Sequence, residues 1–77
     1  MRPPDDPNYV SFGDVARKQL HEQCQYVSRY VGGRHGRPDL GSGLRIRGNP
    51  ADYHFLTIHK DDVEEFVRRV TKHQAAF

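Results

Sequence analysis

Between Phe12 and Val31 apolar residues return every three or four positions: Phe12, Val15, Ala16, Leu20, Cys24, Val27 and Val31. That spacing draws one stripe along a 3.6-residue helix and predicts a single long amphipathic helix. Ser11 stands where a side chain can cap free N–H groups, and Asp14 follows three residues on, a relative of the capping box. Gly32 and Gly33 are the stop signal at its far end. The outward positions hold Arg17, Lys18, Glu22, Gln25 and Arg29, a solvated mixture, with Tyr26 and Tyr30 at the stripe's edge. Such a stripe is stable only when another element covers it. A chain of 77 residues supplies that cover for one small core, because it buries only about 60–65% of its unfolded surface.

The cover is expected from the second half of the chain. Leu44–Arg47 alternates apolar and basic residues as a half-buried strand does, and residues 48–52 (GNPAD) carry turn chemistry. Residues 53–59 (YHFLTIH) are aromatic and β-branched, the composition of a second strand. A last helix is expected from Asp61, with Asp61 and Glu64 at capping-box spacing and Val63, Phe66, Val67 and Val70 as its apolar face. Arg68, Arg69 and Lys72 suit its C-terminal end. The expected fold class is therefore α+β, a small single domain of order helix–β-hairpin–helix (αββα), spanning residues 11–73. Residues 1–10, with three prolines and no apolar period, read as a disordered Pro-rich arm whose grip is Tyr9 and Val10, and residues 74–77 as a frayed tail.

Composition removes several classes. The one cysteine, Cys24, excludes an internal disulfide framework and suits a reducing, cytoplasmic setting. No apolar run reaches the length of a membrane span, and no signal-peptide order is present. Nothing gathers a nucleophile, a base and an orienting group, so no enzyme, catalytic residue or cofactor is expected. Cys24 belongs to the stripe and reads as a core residue, and the acids at 61–65 are explained by the helix start. His21 and Cys24 stand three apart and could face one ion, but structural zinc wants four ligands in close pairs. His54 and His59 fall on opposite faces of a strand. No metal site is expected.

The stretch Val31–Gly48, VGGRHGRPDLGSGLRIRG, holds six glycines, four arginines and one acid. A dinucleotide fingerprint starting at Gly41-Ser42-Gly43 fails, because Ile46 takes its sixth position and a strand follows where a helix is needed. No Gly-Lys-Ser or Gly-Lys-Thr occurs. Arg34-His35-Gly36-Arg37-Pro38 departs from an AT-hook core by the inserted histidine and by Asp39, which weakens the positive potential a minor groove rewards. Gly33-Arg34-His35-Gly36 resembles the Gly-x-x-Gly loop of KH domains. The resemblance implies a loop joining two helices and clamping single-stranded RNA or DNA, with Arg34 and Arg37 neutralising phosphates. The sequence departs from that family in having Pro38 and DLGSG where a second helix belongs, and no strand before Ser11. The joint itself reads as a flexible helix-to-hairpin connection that exposes its arginines.

Net charge is +2 and unevenly spread, with a basic middle (Arg34, Arg37, Arg45, Arg47) and an acidic helix start (Asp61, Asp62, Glu64, Glu65). The function expected is a small non-catalytic regulator that binds a larger protein machine, as phage-type inhibitors bind a host RNA polymerase or a nuclease. Tyr9, Val10, Arg34, Arg37, Arg45, Arg47, Asp61, Asp62 and Glu65 are its expected contacts. The alternative is a single-stranded nucleic-acid binder, KH-like at the Gly33, Arg34, His35, Gly36 and Arg37 loop and working through Arg34, Arg37, Arg45 and Arg47 with Tyr53. A monomer or a homodimer satisfies either reading.

Overall fold

The computed structural model of the protein describes residues 6–75. It is a small α+β structure with three α-helices and a three-stranded antiparallel sheet. In chain order come β1 (Tyr9–Ser11), α1 (Phe12–Gln19), α2 (Cys24–Val27), β2 (Ile46–Arg47), β3 (Thr57–His59) and α3 (Val63–Ala75). Short 3-10 turns at Ser28–Tyr30, Arg34–Gly36, Tyr53–Phe55 and Lys60–Asp62 punctuate the connections.

The order differs from αββα at its start. Tyr9 and Val10, expected in a disordered arm, lie in an edge strand. Tyr9 faces His59, Val10 faces Ile58 and Ser11 faces Thr57, while on the other side Ile46 faces Ile58 and Arg47 faces Thr57. β3 is therefore central, and Ile58, flanked by Val10 and Ile46, is fully buried on the core side. A strand of three residues, Tyr9, Val10 and Ser11, is too short to carry a periodic signal of its own. Pairing with β3 supplies the missing hydrogen-bond partners and makes them a strand. Residues 1–5 of the expected arm lie outside the described residues.

The long helix is divided. α1 ends at Gln19, His21 adopts a left-handed φ of 56°, and the chain turns so that the Ala16 carbonyl accepts both the Leu20 N–H (3.2 Å) and the Glu22 N–H (3.0 Å). The stripe survives the bend: Phe12, Val15, Ala16, Leu20, Val27, Tyr30 and Val31 all enter one core with Leu56, Ile58, Phe66 and Val70. A straight helix carries its stripe past a core this small, whereas the bend wraps it around. The Phe12 and Phe66 rings meet at its centre, 5.1 Å apart. Ser11 occupies the N-cap position without a side-chain cap, while the Phe12 N–H donates to the Leu56 carbonyl at 2.9 Å.

The hairpin is shorter than its sequence pattern. Tyr53–Phe55 coils into a 3-10 turn instead of extending the strand, and Phe55 is 52% exposed. The Cys24 thiol donates to the Tyr53 carbonyl (3.3 Å) and the Tyr53 hydroxyl to Gln25 Oε1 (3.4 Å), so the loop is fastened to α2. Before α3, the 3-10 turn Lys60–Asp62 is capped by His59, whose Nδ1 accepts the Asp61 N–H at 3.1 Å, so Asp61 lies within the turn and the α-helix starts only at Val63. The helix continues through Ala75, past the point where fraying was expected; residues 76–77 lie outside the described residues.

Candidate nucleic-acid interface

The joint from Gly32 to Gly43 is tied down. Asp39 Oδ1 accepts the N–H groups of Gly32 (3.0 Å) and Gly41 (3.2 Å), and the Leu40 N–H donates to the Tyr30 carbonyl at 2.7 Å. Arg69 reaches across from α3 and donates to the carbonyls of Leu40 (3.1 Å) and Ser42 (2.8 Å). The acid that spoils an AT-hook is thus the anchor of the loop. The tie fixes a tight turn in which Gly33, His35 and Gly36 all have positive φ and the Arg37 N–H donates to the Arg34 carbonyl at 3.0 Å. No helix begins directly after Gly36: the Gly33–Gly36 turn comes after the second helix and leads on to β2 rather than joining two consecutive helices. In that respect it differs from the loop it resembles in KH domains.

The expected site residues separate into two groups. Arg45 is spent on Asp62: its Nε and Nη2 donate at 2.9 and 3.0 Å, and its backbone N–H adds a third bond at 2.8 Å. Those side-chain bonds, followed by the backbone one, hold the Asp62 carboxyl at about 2. Arg47 lies 3.9 Å above the Tyr9 ring and 3.6 Å from Asp6, and Tyr9 also meets His59 edge-on at 5.1 Å. Tyr9 is consequently buried beneath these two side chains and offers no free grip. Glu65 accepts from Arg68 and Arg69 at 2.6 and 2.7 Å, which keeps its carboxyl below the usual range. Asp61 remains largely exposed beside His59.

Arg29, Arg34 and Arg37 behave differently. Among the described residues Arg17, Arg45, Arg47, Arg68 and Arg69 are ion-paired with a carboxylate, and these three are not. They sit around the C-terminal end of α2. Arg29 lies over the Tyr26 ring at 5.1 Å, and Arg37 over Tyr30 at 5.6 Å. On one side of this ridge a groove of about 190 Å³ is lined by Gln25, Ser28, Arg29, Arg34, His35 and Tyr53, with Pro50 and Ala51 closing it. No carboxylate lines it. On the other side a smaller hollow of about 150 Å³ holds Tyr26, Tyr30 and Arg37, with Glu22 on its wall. The Tyr53 and His54 rings lie 4.4 Å apart, tilted by 33°. Tyr26 and Phe55, the large apolar side chains most exposed among the described residues, belong to α2 and to the loop that carries Tyr53.

No protein-family model, no curated protein and no solved structure matches the chain. The chemistry must be argued from the groove itself.

Arg29 is the residue that the basic-middle reading omitted. It stands three positions beyond Tyr26 on the outer face of the expected helix, so the pairing of a cation with an exposed ring was visible in that spacing. That it joins Arg34 was not, because the two come together only after the chain turns at Gly32 and Gly33. Cys24 is half-buried, and burial pushes its thiol above the ordinary value, which disfavours the thiolate. Among the described residues no three His, Cys, Asp or Glu side chains converge as for a metal ion, and no helix is long and apolar enough to cross a membrane.

Proposed function

We propose that this protein binds single-stranded nucleic acid along the groove between α2 and the Tyr53 loop. The observation that carries the reading is the placing of charge: among the described residues the arginines left without a carboxylate, Arg29, Arg34 and Arg37, gather around the C-terminal end of α2, and two of them line a groove that no carboxylate enters. Unpaired guanidiniums beside an acid-free groove form the electrostatic footprint of a phosphate backbone. In this reading Arg34 and Arg29 contact successive phosphates from the groove walls, and Arg37 continues the track past the Tyr26 ridge. Tyr53, tilted against His54, and the exposed Tyr26 and Phe55 offer rings for unstacked bases, which a duplex does not present. His35 and the glycines beside it allow close backbone approach.

The reading as a regulator of a larger protein machine, such as RNA polymerase, has fewer free contacts. Four of the charges it calls on, Arg45, Arg47, Asp62 and Glu65, are engaged within the chain.

The test is fluorescence anisotropy of labelled single-stranded RNA, single-stranded DNA and duplex DNA at two salt concentrations. Single strands are expected to bind more tightly than duplex. The double variant Arg34→Ala/Arg37→Ala should flatten the slope of log K against log salt by about 1.4, two phosphates' worth on a single strand. Arg68→Ala, which removes a cation already paired with Glu65, should leave the slope unchanged. Absence of salt-dependent single-strand binding, or an equal loss from Arg68→Ala, overturns the proposal.

A further inference from the structure

A hollow larger than either of these lies elsewhere. A groove of about 320 Å³ runs between α1 and the start of α3, with Val10, Val15 and Val63 as its apolar lining and Asp14, Lys18, Gln19 and Lys60 at its rim. We propose that this groove docks a short acidic–apolar segment of a partner protein, an apolar side chain seated on the valines and flanking carboxylates held by Lys18 and Lys60.

Three observations point to that occupant. The lining is valine from three different elements, β1, α1 and α3, so the apolar floor is a product of the fold and not a chance surface residue. Lys18 and Lys60 are both exposed and make no ion pair among the described residues, unlike Arg17, Arg45, Arg47, Arg68 and Arg69. Asp14, the acid on the rim, is neutralised by Arg17 at 2.6 Å. The groove therefore presents two uncompensated positive charges around an apolar floor, which is complementary to a carboxylate–apolar–carboxylate pattern. Single-stranded nucleic acid fits it poorly, since no aromatic ring lines the groove for a base to stack on. A second copy of this chain placed two-fold across the groove would set lysines against lysines. The inference does not rest on the single-strand reading, because the two sites share no residue.

The experiment is a ¹H–¹⁵N titration of the full chain with a synthetic peptide carrying a central leucine pair between glutamates and aspartates. Two control peptides replace the acids by their amides or the leucines by serine. Shifts are expected to cluster at Val10, Val15, Lys18, Gln19, Lys60 and Val63 with the acidic–apolar peptide and to fade with both controls. Lys18→Glu/Lys60→Glu should weaken the acidic peptide about tenfold or more, and Lys18→Ala/Lys60→Ala should weaken it in the same direction by less. All four substitutions are at exposed side chains, and the dispersion of the spectrum verifies folding. Arg34→Ala/Arg37→Ala should leave peptide binding unchanged, so failure of this proposal and failure of the single-strand reading are separately visible. The proposal is overturned by shifts outside the groove, by equal binding of the amide peptide, by displacement of the peptide by single-stranded oligonucleotide, or by sedimentation showing that the groove closes on a second copy.

Discussion

Gly48 joins the fold to the groove, and replacing it with alanine should disturb both. Its φ is +109°, outside the ordinary range of an L-residue, and a Cβ built there lies 2.9 Å from the Phe55 carbonyl oxygen and 3.2 Å from the Leu56 Cα. Both neighbours are backbone, so neither can swing aside. The conformational strain is about 1–3 kcal/mol, and moving the loop by a few tenths of an ångström adds roughly 1–2 kcal/mol. The smaller conformational freedom of unfolded alanine offsets about 0.4–1 kcal/mol. The net expectation for Gly48→Ala is a loss of about 2–4 kcal/mol, or roughly 10–25 °C in melting temperature for a domain this small. Gly36→Ala is the internal control: its φ of +73° is also left-handed, but nothing lies within 4 Å of its added Cβ. That substitution should cost only about 1 kcal/mol. Urea and thermal unfolding followed by circular dichroism measure both. The loop that Gly48 crowds carries Tyr53, so Gly48→Ala should also weaken single-strand binding at a temperature where it remains folded. Equal losses for the two glycines would refute the claim that close backbone approach, rather than φ alone, demands glycine at position 48.

Asp62, held at about 2 by the Arg45 bonds, is depressed from the ordinary aspartate value of 3.8, so the pair stabilises the fold above that unfolded value. The contribution should fade as pH falls from about 3.8 through about 2; in Arg45→Ala the Asp62 carboxyl, followed by NMR, should titrate closer to 3.8, and an unchanged midpoint would remove Arg45 as the cause. Cys24, half-buried with its thiol pushed up, should alkylate with iodoacetamide more slowly at neutral pH than a free cysteine in a peptide, and a rate equal to the peptide's would contradict its placement under the Tyr53 loop. Phe66→Ala, which empties the centre of the core, should cost about 3–5 kcal/mol, and a loss below roughly 1 kcal/mol would show that the Phe12–Phe66 contact is not its hub.

The candidate groove was half legible. Arg34, His35 and Arg37 stand out because glycines surround them, and Tyr53 because it opens an aromatic run. Arg45 and Arg47 look identical to them on charge, yet one is drawn to Asp62 and the other to Tyr9 and Asp6. Sequence gives the charge of a side chain but not the carboxylate that folding brings beside it. The same holds for Asp62 and Glu65, which read as a free acidic face and are counterions.

The α+β class, the apolar face of the last helix and the members of the stripe were determined by the sequence alone, because local periodicity decides which residues one face of an element collects. Phe12, Val15, Ala16, Leu20, Val27 and Val31 are all in the core, as their spacing requires. Tertiary structure decided the rest. The stripe is broken at His21, since burying it around a core this small needs a bend that no 3.6-residue repeat encodes. β1 exists because β3 offers it hydrogen bonds across more than forty residues of intervening chain, from Val10 to Ile58. Tyr53–Phe55 has strand composition but coils, because its carbonyl and hydroxyl bonds to α2 are worth more than extending a ladder whose partner strand ends at Arg47. Each of these depends on what meets what after the chain has closed on itself, and contacts between segments distant in sequence leave no periodic trace within either one.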